Sequence, residues 1–250
     1  HYQPQIDMTS GELTGAEALL RWNHPRLGFV APTEFIPIAE DIGIIQEIGA
    51  WVLKAACHQV TEWDKQGLKL PSIAVNLSTR QIGRTELVAW ISSELHEAGL
   101  TPERLELEVT ESQLMRDPEA SREALTALQS MGVRVAIDDF GTGYSSLAYL
   151  KLLPLDHLKI DQSFVQDISV DANGEAIVRA TIALANSLNL STIAEGVENP
   201  AQADYLRQVG ATQAQGYLIS HPLPPDQFLS RYHEGRLTEY HPSAPADFSD

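Results

Sequence analysis

The residues best placed to do chemistry lie in Ile137-Asp138-Asp139-Phe140-Gly141-Thr142-Gly143-Tyr144-Ser145-Ser146-Leu147. The stretch follows Val133-Arg134-Val135-Ala136, which reads as a buried strand of β-branched and small residues. Two adjacent carboxylates close that strand, and two glycines one residue apart then break it. Neighbouring side chains of a strand point to opposite faces, but a turn at the strand end lets both acids face one point. Carboxylates so close repel unless a proton or a cation lies between them. In isolation Asp-Asp-Phe-Gly could equally be a turn whose aspartates cap loop amides. Only the other strand ends can separate a capped turn from a divalent-metal site.

Those ends carry a consistent set. Glu17 lies on the second expected strand, Asn76 ends the third, and Glu108 and Glu111 sit on and just after the fourth. Asp138 and Asp139 end the fifth, Lys159 and Asp161 end the sixth, Glu195 and Glu198 follow the seventh, and Gln215 lies in the eighth. Hard oxygen donors without cysteine or histidine suit Mg²⁺ or Mn²⁺ rather than zinc. Each residue alone has a plain alternative. Glu17 could be a core carboxylate satisfied by Arg21, Asn76 a turn cap, Lys159 a solvated strand-end lysine, and Glu195 and Glu198 helix caps around Gly196. The coincidence over successive strands argues against these alternatives, because a ring of carboxylates without a cation repels itself.

The elements that would position these residues alternate. Tyr2–Ile6 and Glu17–Trp22 read as strands joined by the Thr9–Glu12 turn, close enough to pair as an antiparallel hairpin. Thr33 can cap a short helix through Glu40, and Ile44–Lys65 has the pattern of a long amphipathic helix. Strands are then expected at 73–77, 105–109, 134–137, 158–160, 191–194 and 213–218. Helices are expected at about 84–98, 119–131, 146–151, 174–188, 201–209 and 226–233. Strand–helix alternation implies a parallel sheet. Eight units in 250 residues suggest an α/β fold of the TIM, (β/α)8 barrel type, with one early strand antiparallel. An open doubly wound sheet is the alternative, but no glycine-rich phosphate fingerprint follows the first strand.

Composition bounds the function. Hydrophobic residues make up 43% of the chain, enough for a full core. With 34 acidic and 17 basic residues the net charge is −17, which argues against binding DNA or RNA polymers through a basic surface. A small anionic substrate remains compatible, since bound cations reverse the local field. Cys57 stands alone, so no disulfide can form within the chain, and a reducing compartment fits. No apolar run approaches a membrane span. The chain starts at His1, inside an extended segment, and is expected to be a piece of a longer protein, with residues 1–236 as one domain and 237–250 as a polar tail or linker.

Taken in order, Glu17-Ala18-Leu19, Leu20-Arg21-Trp22, Val75-Asn76-Leu77-Ser78, Glu108-Val109-Thr110-Glu111-Ser112, the Asp138–Ser146 stretch, Lys159-Ile160-Asp161, Glu195-Gly196-Val197-Glu198 and Gln215-Gly216-Tyr217 resemble the EAL-domain family of bacterial cyclic-di-GMP phosphodiesterases. The resemblance runs from residue 2 to about residue 230 and implies a modified TIM barrel with one strand reversed. It implies two divalent cations, Mg²⁺ or Mn²⁺. Glu17, Asn76, Glu108 and Asp138 would hold the first; Asp138 would bridge to the second, with Asp139 and Glu195 completing it. Family precedent makes Glu195 the general base, Lys159 the residue that positions water, and Asp161 the residue that orients Lys159. Arg21 would clamp phosphate, while Gln215, Gln3 and Glu198 would contact the nucleotide. Glu111 would steady the loop Phe140-Gly141-Thr142-Gly143-Tyr144-Ser145-Ser146, which in the family adjoins both the metal site and a homodimer interface. Ile219 and His221 replace residues more often aromatic and basic there.

The resemblance thus implies hydrolysis of cyclic-di-GMP to linear 5′-pGpG. The alternatives are a receptor that binds the nucleotide without cleaving it, and a barrel enzyme acting on another phosphate ester. Further N-terminal regulatory domains are expected, and so is a bacterial cytoplasmic location, either free or as the cytoplasmic part of a membrane-anchored protein.

Overall fold

The computed structural model describes residues 1–82, 86–141, 147–238 and 240, without the side chains of residues 79, 80, 147 and 148. Its strands are β1 (Tyr2–Asp7), β2 (Leu13–Ala18), β3 (Trp22–His24), β4 (Gly28–Val30), β5 (Ile73–Asn76), β6 (Leu105–Thr110), β7 (Arg134–Phe140), β8 (His157–Ile160), β9 (Ser191–Ala194) and β10 (Gln213–Ala214). Eight of them close into a barrel in the order β1-β10-β9-β8-β7-β6-β5-β2, while β3 and β4 form a separate hairpin. β1 runs antiparallel to both of its neighbours, and every other barrel pairing is parallel. The expected barrel with one reversed early strand is therefore the fold observed.

Alternation along the strands separates two environments. In β6 the residues Leu105, Leu107 and Val109 are buried, as are Val135 and Ile137 of β7 and Leu158 and Ile160 of β8. They belong to one apolar cluster that also takes in Leu53, Val60, Ile91, Leu125 and Val178 from the helices. The alternate residues Glu106, Glu108, His157 and Lys159 are also buried. Their contacts reach from β6 to β8 across the barrel interior. The wall between strands and helices is thus apolar, and the interior is polar. Long helices at Ile45–Lys65, Leu87–Ala98, Pro118–Ser130, Ala172–Ser187, Pro200–Gln208 and Pro225–His233 cover the barrel. Capping is visible in the sequence of several: Asp117, Asp171 and Asn199 each accept a hydrogen bond from a first-turn amide. Among the described residues no helix is long and apolar enough to cross a membrane.

Several expectations need correction. The second strand is Leu13–Ala18, not Glu17–Trp22: Ala18 pairs with Tyr2, and beyond Leu19, which still exchanges backbone bonds with His1, the chain leaves the barrel wall. Trp22 instead opens the small hairpin. Thr33 is not a cap: Pro32 occupies the first helical turn and Ala31 stands at the cap position without a side-chain bond. The fifth strand runs on through Phe140. The eighth stops at Ala214, since the chain turns at Gly216, where an added Cβ would lie 2.2 Å from the backbone N and O of Val197. Within the expected 237–250 tail, Leu237 and Tyr240 are buried, so packed structure reaches Tyr240; residues 239 and 241–250 lie outside the described residues.

Candidate active site

The C-terminal mouth of the barrel gathers side chains from all eight barrel strands or the residues just after them. Antiparallel pairing sets Gln3 opposite Glu17, and parallel pairing sets Asn76 opposite Glu108. The Asn76 side-chain amide donates to Glu17 Oε1 at 2.8 Å and to Glu108 Oε2 at 3.1 Å. The other oxygen of Glu17 accepts from Gln215 Nε2 at 2.6 Å. Lys159, from β8, reaches the centre: its Nζ lies 2.8 Å from Glu108, 2.9 Å from Glu195, 3.3 Å from Asp138 and 3.7 Å from Glu17. The lysine is 0% exposed. None of these ion pairs has hydrogen-bond geometry at Nζ.

Asp138 and Asp139 converge by a device that the sequence does not display. They are not past the strand end but inside β7, where the register with β8 shifts between Ile137 and Phe140. Asp139 adopts φ 53°, a left-handed conformation that aspartate tolerates better than most residues. The bulge cancels the two-residue alternation, so both acids serve one side. One carboxylate oxygen each from Asp138, Asp139 and Glu195 come within 4.8 Å of one another.

Electrostatics follow from packing four acids around one ammonium, with Asp139 beside them. Burial pushes the Glu108 carboxyl well above its ordinary value, and the neighbouring Glu17 adds to the rise. Burial, then the charge of Asp138, raises Glu195 to about 8 against the pull of Lys159. Burial and Asp138 also raise Asp139. Glu17 goes the other way: burial opposes its charge, but Lys159 and the hydrogen bonds it accepts hold it below the usual range. Burial would discharge Lys159, yet the carboxylates, Glu108 first, keep it protonated far above its ordinary value. The mouth is short of positive charge. Among the described residues Glu108 Oε1 is buried with no hydrogen-bond partner, and the available donors are carboxylate and amide oxygens. That donor set fits hard divalent cations.

The remaining expected residues are placed less uniformly. Gln3, Arg21, Glu198 and Gln215 line one cleft of about 370 Å³ with Glu17, Asp139 and Glu195. Arg21 donates to the Leu20 carbonyl, and burial lowers its pKa. Gln3 and Gln215 are buried and bonded to each other at 3.0 Å, so their amides are engaged within the protein. Asp161 lines the same cleft and acts on the charge of Asp139; its carboxylate accepts from the amide and hydroxyl of Ser163 and caps the helix Gln162–Gln166, and among the described residues it forms no ion pair with Lys159. Glu111 is buried, and among the described residues neither of its side-chain oxygens has a partner. Phe140 is buried at the end of β7 and Gly141 takes φ 94°. Thr142, Gly143, Tyr144, Ser145 and Ser146 lie outside the described residues. Sequence reasoning missed Gln5, which is buried in the interior and bonded to Gln215. Its signal was a second glutamine two positions after Gln3 in one strand, hence on the same face.

The EAL domain family matches residues 1–222. The chain belongs to that family. This EAL domain is 47% identical over 230 residues to the bifunctional diguanylate cyclase/cyclic di-GMP phosphodiesterase MucR of Pseudomonas aeruginosa, covering 92% of the chain and 34% of MucR. It is 44% identical over 235 residues to the cyclic di-GMP phosphodiesterase NbdA of the same organism, covering 93% of the chain and 30% of NbdA. The chain thus spans about a third of the length of these curated relatives. Among solved structures, the phosphodiesterase of P. aeruginosa MucR in complex with c-di-GMP superposes with a TM-score of 0.88 at 47% identity, over 91% of this chain and 92% of that one.

Proposed function

We propose that this EAL domain hydrolyses cyclic-di-GMP to linear 5′-pGpG with the help of two divalent cations, Mg²⁺ or Mn²⁺. The observation that carries the reading is the convergence of Glu17, Glu108, Asp138 and Glu195 on one buried lysine, with Asp139 gathered beside Asp138 and Glu195, in a family whose named relatives include cyclic di-GMP phosphodiesterases.

Glu17, Asn76, Glu108 and Asp138 would hold one cation, and Asp138, Asp139 and Glu195 the other. Bound there, the cations would supply Lewis-acid charge that neutralises the phosphodiester and acidifies water. The protein's own groups do the rest. The Asn76 nitrogen faces two carboxylates, so its carbonyl oxygen is the atom left to meet a cation. Glu195, beside Asp138, Asp139 and Lys159, is the carboxylate that takes the proton from the attacking water. Lys159 stays charged and orients that water from 2.9 Å behind Glu195. Arg21, on the cleft wall, pairs with the phosphate through a planar fork of permanent charge. The new bond forms between water oxygen and phosphorus, and the bond from phosphorus to the ribose 3′ oxygen breaks.

The test is chromatography of cyclic-di-GMP incubated with Mn²⁺ and either the wild-type chain or Glu17→Ala. Wild type should yield 5′-pGpG and the variant almost none. Nucleotide bound by both and cleaved by neither establishes the receptor instead. We extend the proposal to a homodimer built through the segment after the glycine loop; sedimentation equilibrium returning only monomer with full activity removes that part.

A further inference from the structure

We propose that Gln5 is a positioning residue for Glu17, acting through the side-chain amide of Gln215. The inference rests on the metal site proposed above.

Gln215 is the only side chain that holds Glu17 Oε2 by a hydrogen bond among the described residues, at 2.6 Å. It can do so only with its nitrogen turned toward the carboxylate. Rotating the amide by half a turn would set a carbonyl oxygen against a carboxylate oxygen. Two neighbours prevent this. Gln3 Oε1 accepts the second Gln215 hydrogen at 3.0 Å, and Gln3 is itself fixed because its Nε2 donates to the Ser220 carbonyl, which can only accept. At the other end of the amide, Gln5 Nε2 donates to Gln215 Oε1 at 3.0 Å. An apolar residue at position 5 would leave that oxygen buried without a donor and remove one of the two locks.

The backbone makes room for the lock. Gln5 pairs with Gly15 across β1 and β2, and a Cβ on residue 15 would lie 2.9 Å from Gln5 Oε1. Gly15 thus clears the space in which the Gln5 amide lies, two residues before Glu17. Outer partners that orient a metal ligand change metal affinity by about 10–100-fold when removed. Gln5 acts one bond further out, so its effect belongs at the low end of that range.

The experiment is Mn²⁺ binding to the full chain, read from the spin-resonance signal of free Mn²⁺ after chelator treatment, with near-ultraviolet circular dichroism as a check of folding. Gln5→Met keeps the volume and removes the amide; Mn²⁺ binding should weaken about tenfold. Gln215→Met should weaken it at least as much. The double variant should bind no more weakly than Gln215→Met alone, because Gln5 has no other route to Glu17. Wild-type affinity in Gln5→Met overturns the proposal, and so does a double variant in which the two losses multiply. Gln5→Glu serves if Gln5→Met does not fold: it replaces the donor by an acceptor, drawing the Gln215 nitrogen away from Glu17, and an unchanged affinity there is equally fatal. If wild type itself binds no Mn²⁺, the metal reading fails first and takes this inference with it.

Discussion

Lys159→Met tests the electrostatic account of the site most directly. The substitution keeps most of the volume and removes the one ammonium that lies within 4 Å of Glu17, Glu108, Asp138 and Glu195. Breaking a buried pair by removing one partner costs about 3–5 kcal/mol. Proton balance gives a similar figure. Without the lysine the cluster can keep its charge balance by binding one more proton, and protonating a carboxyl of ordinary value 4.5 at about pH 7.5 costs about 4 kcal/mol. For a chain of this size about 4 kcal/mol corresponds to a fall in Tm of about 8–16 °C. The sign with pH follows. The folded variant binds a proton that the unfolded chain does not, so its stability recovers as pH falls. At about pH 5.5 the cost drops to about 1.4 kcal/mol, a deficit of about 3–6 °C. Mn²⁺ at about 1 mM should restore most of the loss near pH 8, where protons compete least for the carboxylates, since a bound cation replaces the missing charge. The assay is thermal melting in EDTA and in Mn²⁺ across this range. Equal melts of variant and wild type in EDTA near pH 8, or a deficit that ignores pH, would refute the reasoning.

Three other outcomes are expected. In metal-free wild type, Glu195 at about 8 lies above its ordinary 4.5, so its contribution to stability is complete below about pH 4.5 and is lost as pH rises through 8. The Tm in EDTA should therefore fall between about pH 6 and 8.5, and a rise over that window would contradict the burial of this carboxyl. Cys57 and Tyr2 are pushed up to about 12, chiefly by burial, so both stay neutral in the fold and their contribution fades only as pH rises from about 9 toward 12. Cys57 should resist iodoacetamide at about pH 8.5 until the chain unfolds, and fast labelling of native protein would show the packing to be wrong. His157→Leu leaves the buried Glu106 side chain without the imidazole it contacts, at a cost of about 1–3 kcal/mol. Glu106→Leu added to it should recover much of that stability, and no recovery in the double-variant melt would place the cost elsewhere.

Much of the barrel could be read from the chain because its local signals agree. Strands at Ile73–Asn76 and Leu105–Thr110 carry β-branched and apolar residues, and several of the covering helices begin at Asp, Asn or Pro. What failed depended on partners that no local pattern encodes. The run Ala18-Leu19-Leu20 looks like strand, but the ladder to β1 is paired only through Ala18, and Trp22 pairs instead with Val30 in a separate hairpin. The Asp138-Asp139 pair attracted attention for its chemistry, yet its convergence depends on a shift in register against β8, which is a property of two strands together. Lys159 reads as an ordinary strand-end lysine; that it lies at the centre follows only once β8 faces β2 and β6 across a closed ring. The capping role of Asp161 was legible in principle, since an aspartate two residues before a serine at a helix start is a capping pattern.

The acids that would hold cations are held in place before any cation arrives. Glu17 is fixed at both oxygens, by Asn76 and by Gln215, and the trio Asp138, Asp139 and Glu195 is gathered by a bulge in the backbone rather than by a ligand. A site fixed this way loses little conformational entropy when it binds, but it concentrates repulsion that protons and Lys159 must offset in the meantime. Cation binding would then expel the proton that burial retains on Glu195, so affinity for Mn²⁺ should rise with pH while the stability of the cation-free protein falls. Metal supply and pH are therefore one coupled variable for this protein. A profile of turnover against pH taken at limiting Mn²⁺ would report loading of the site, and only a profile at saturating Mn²⁺ would report the proton transfer assigned to Glu195.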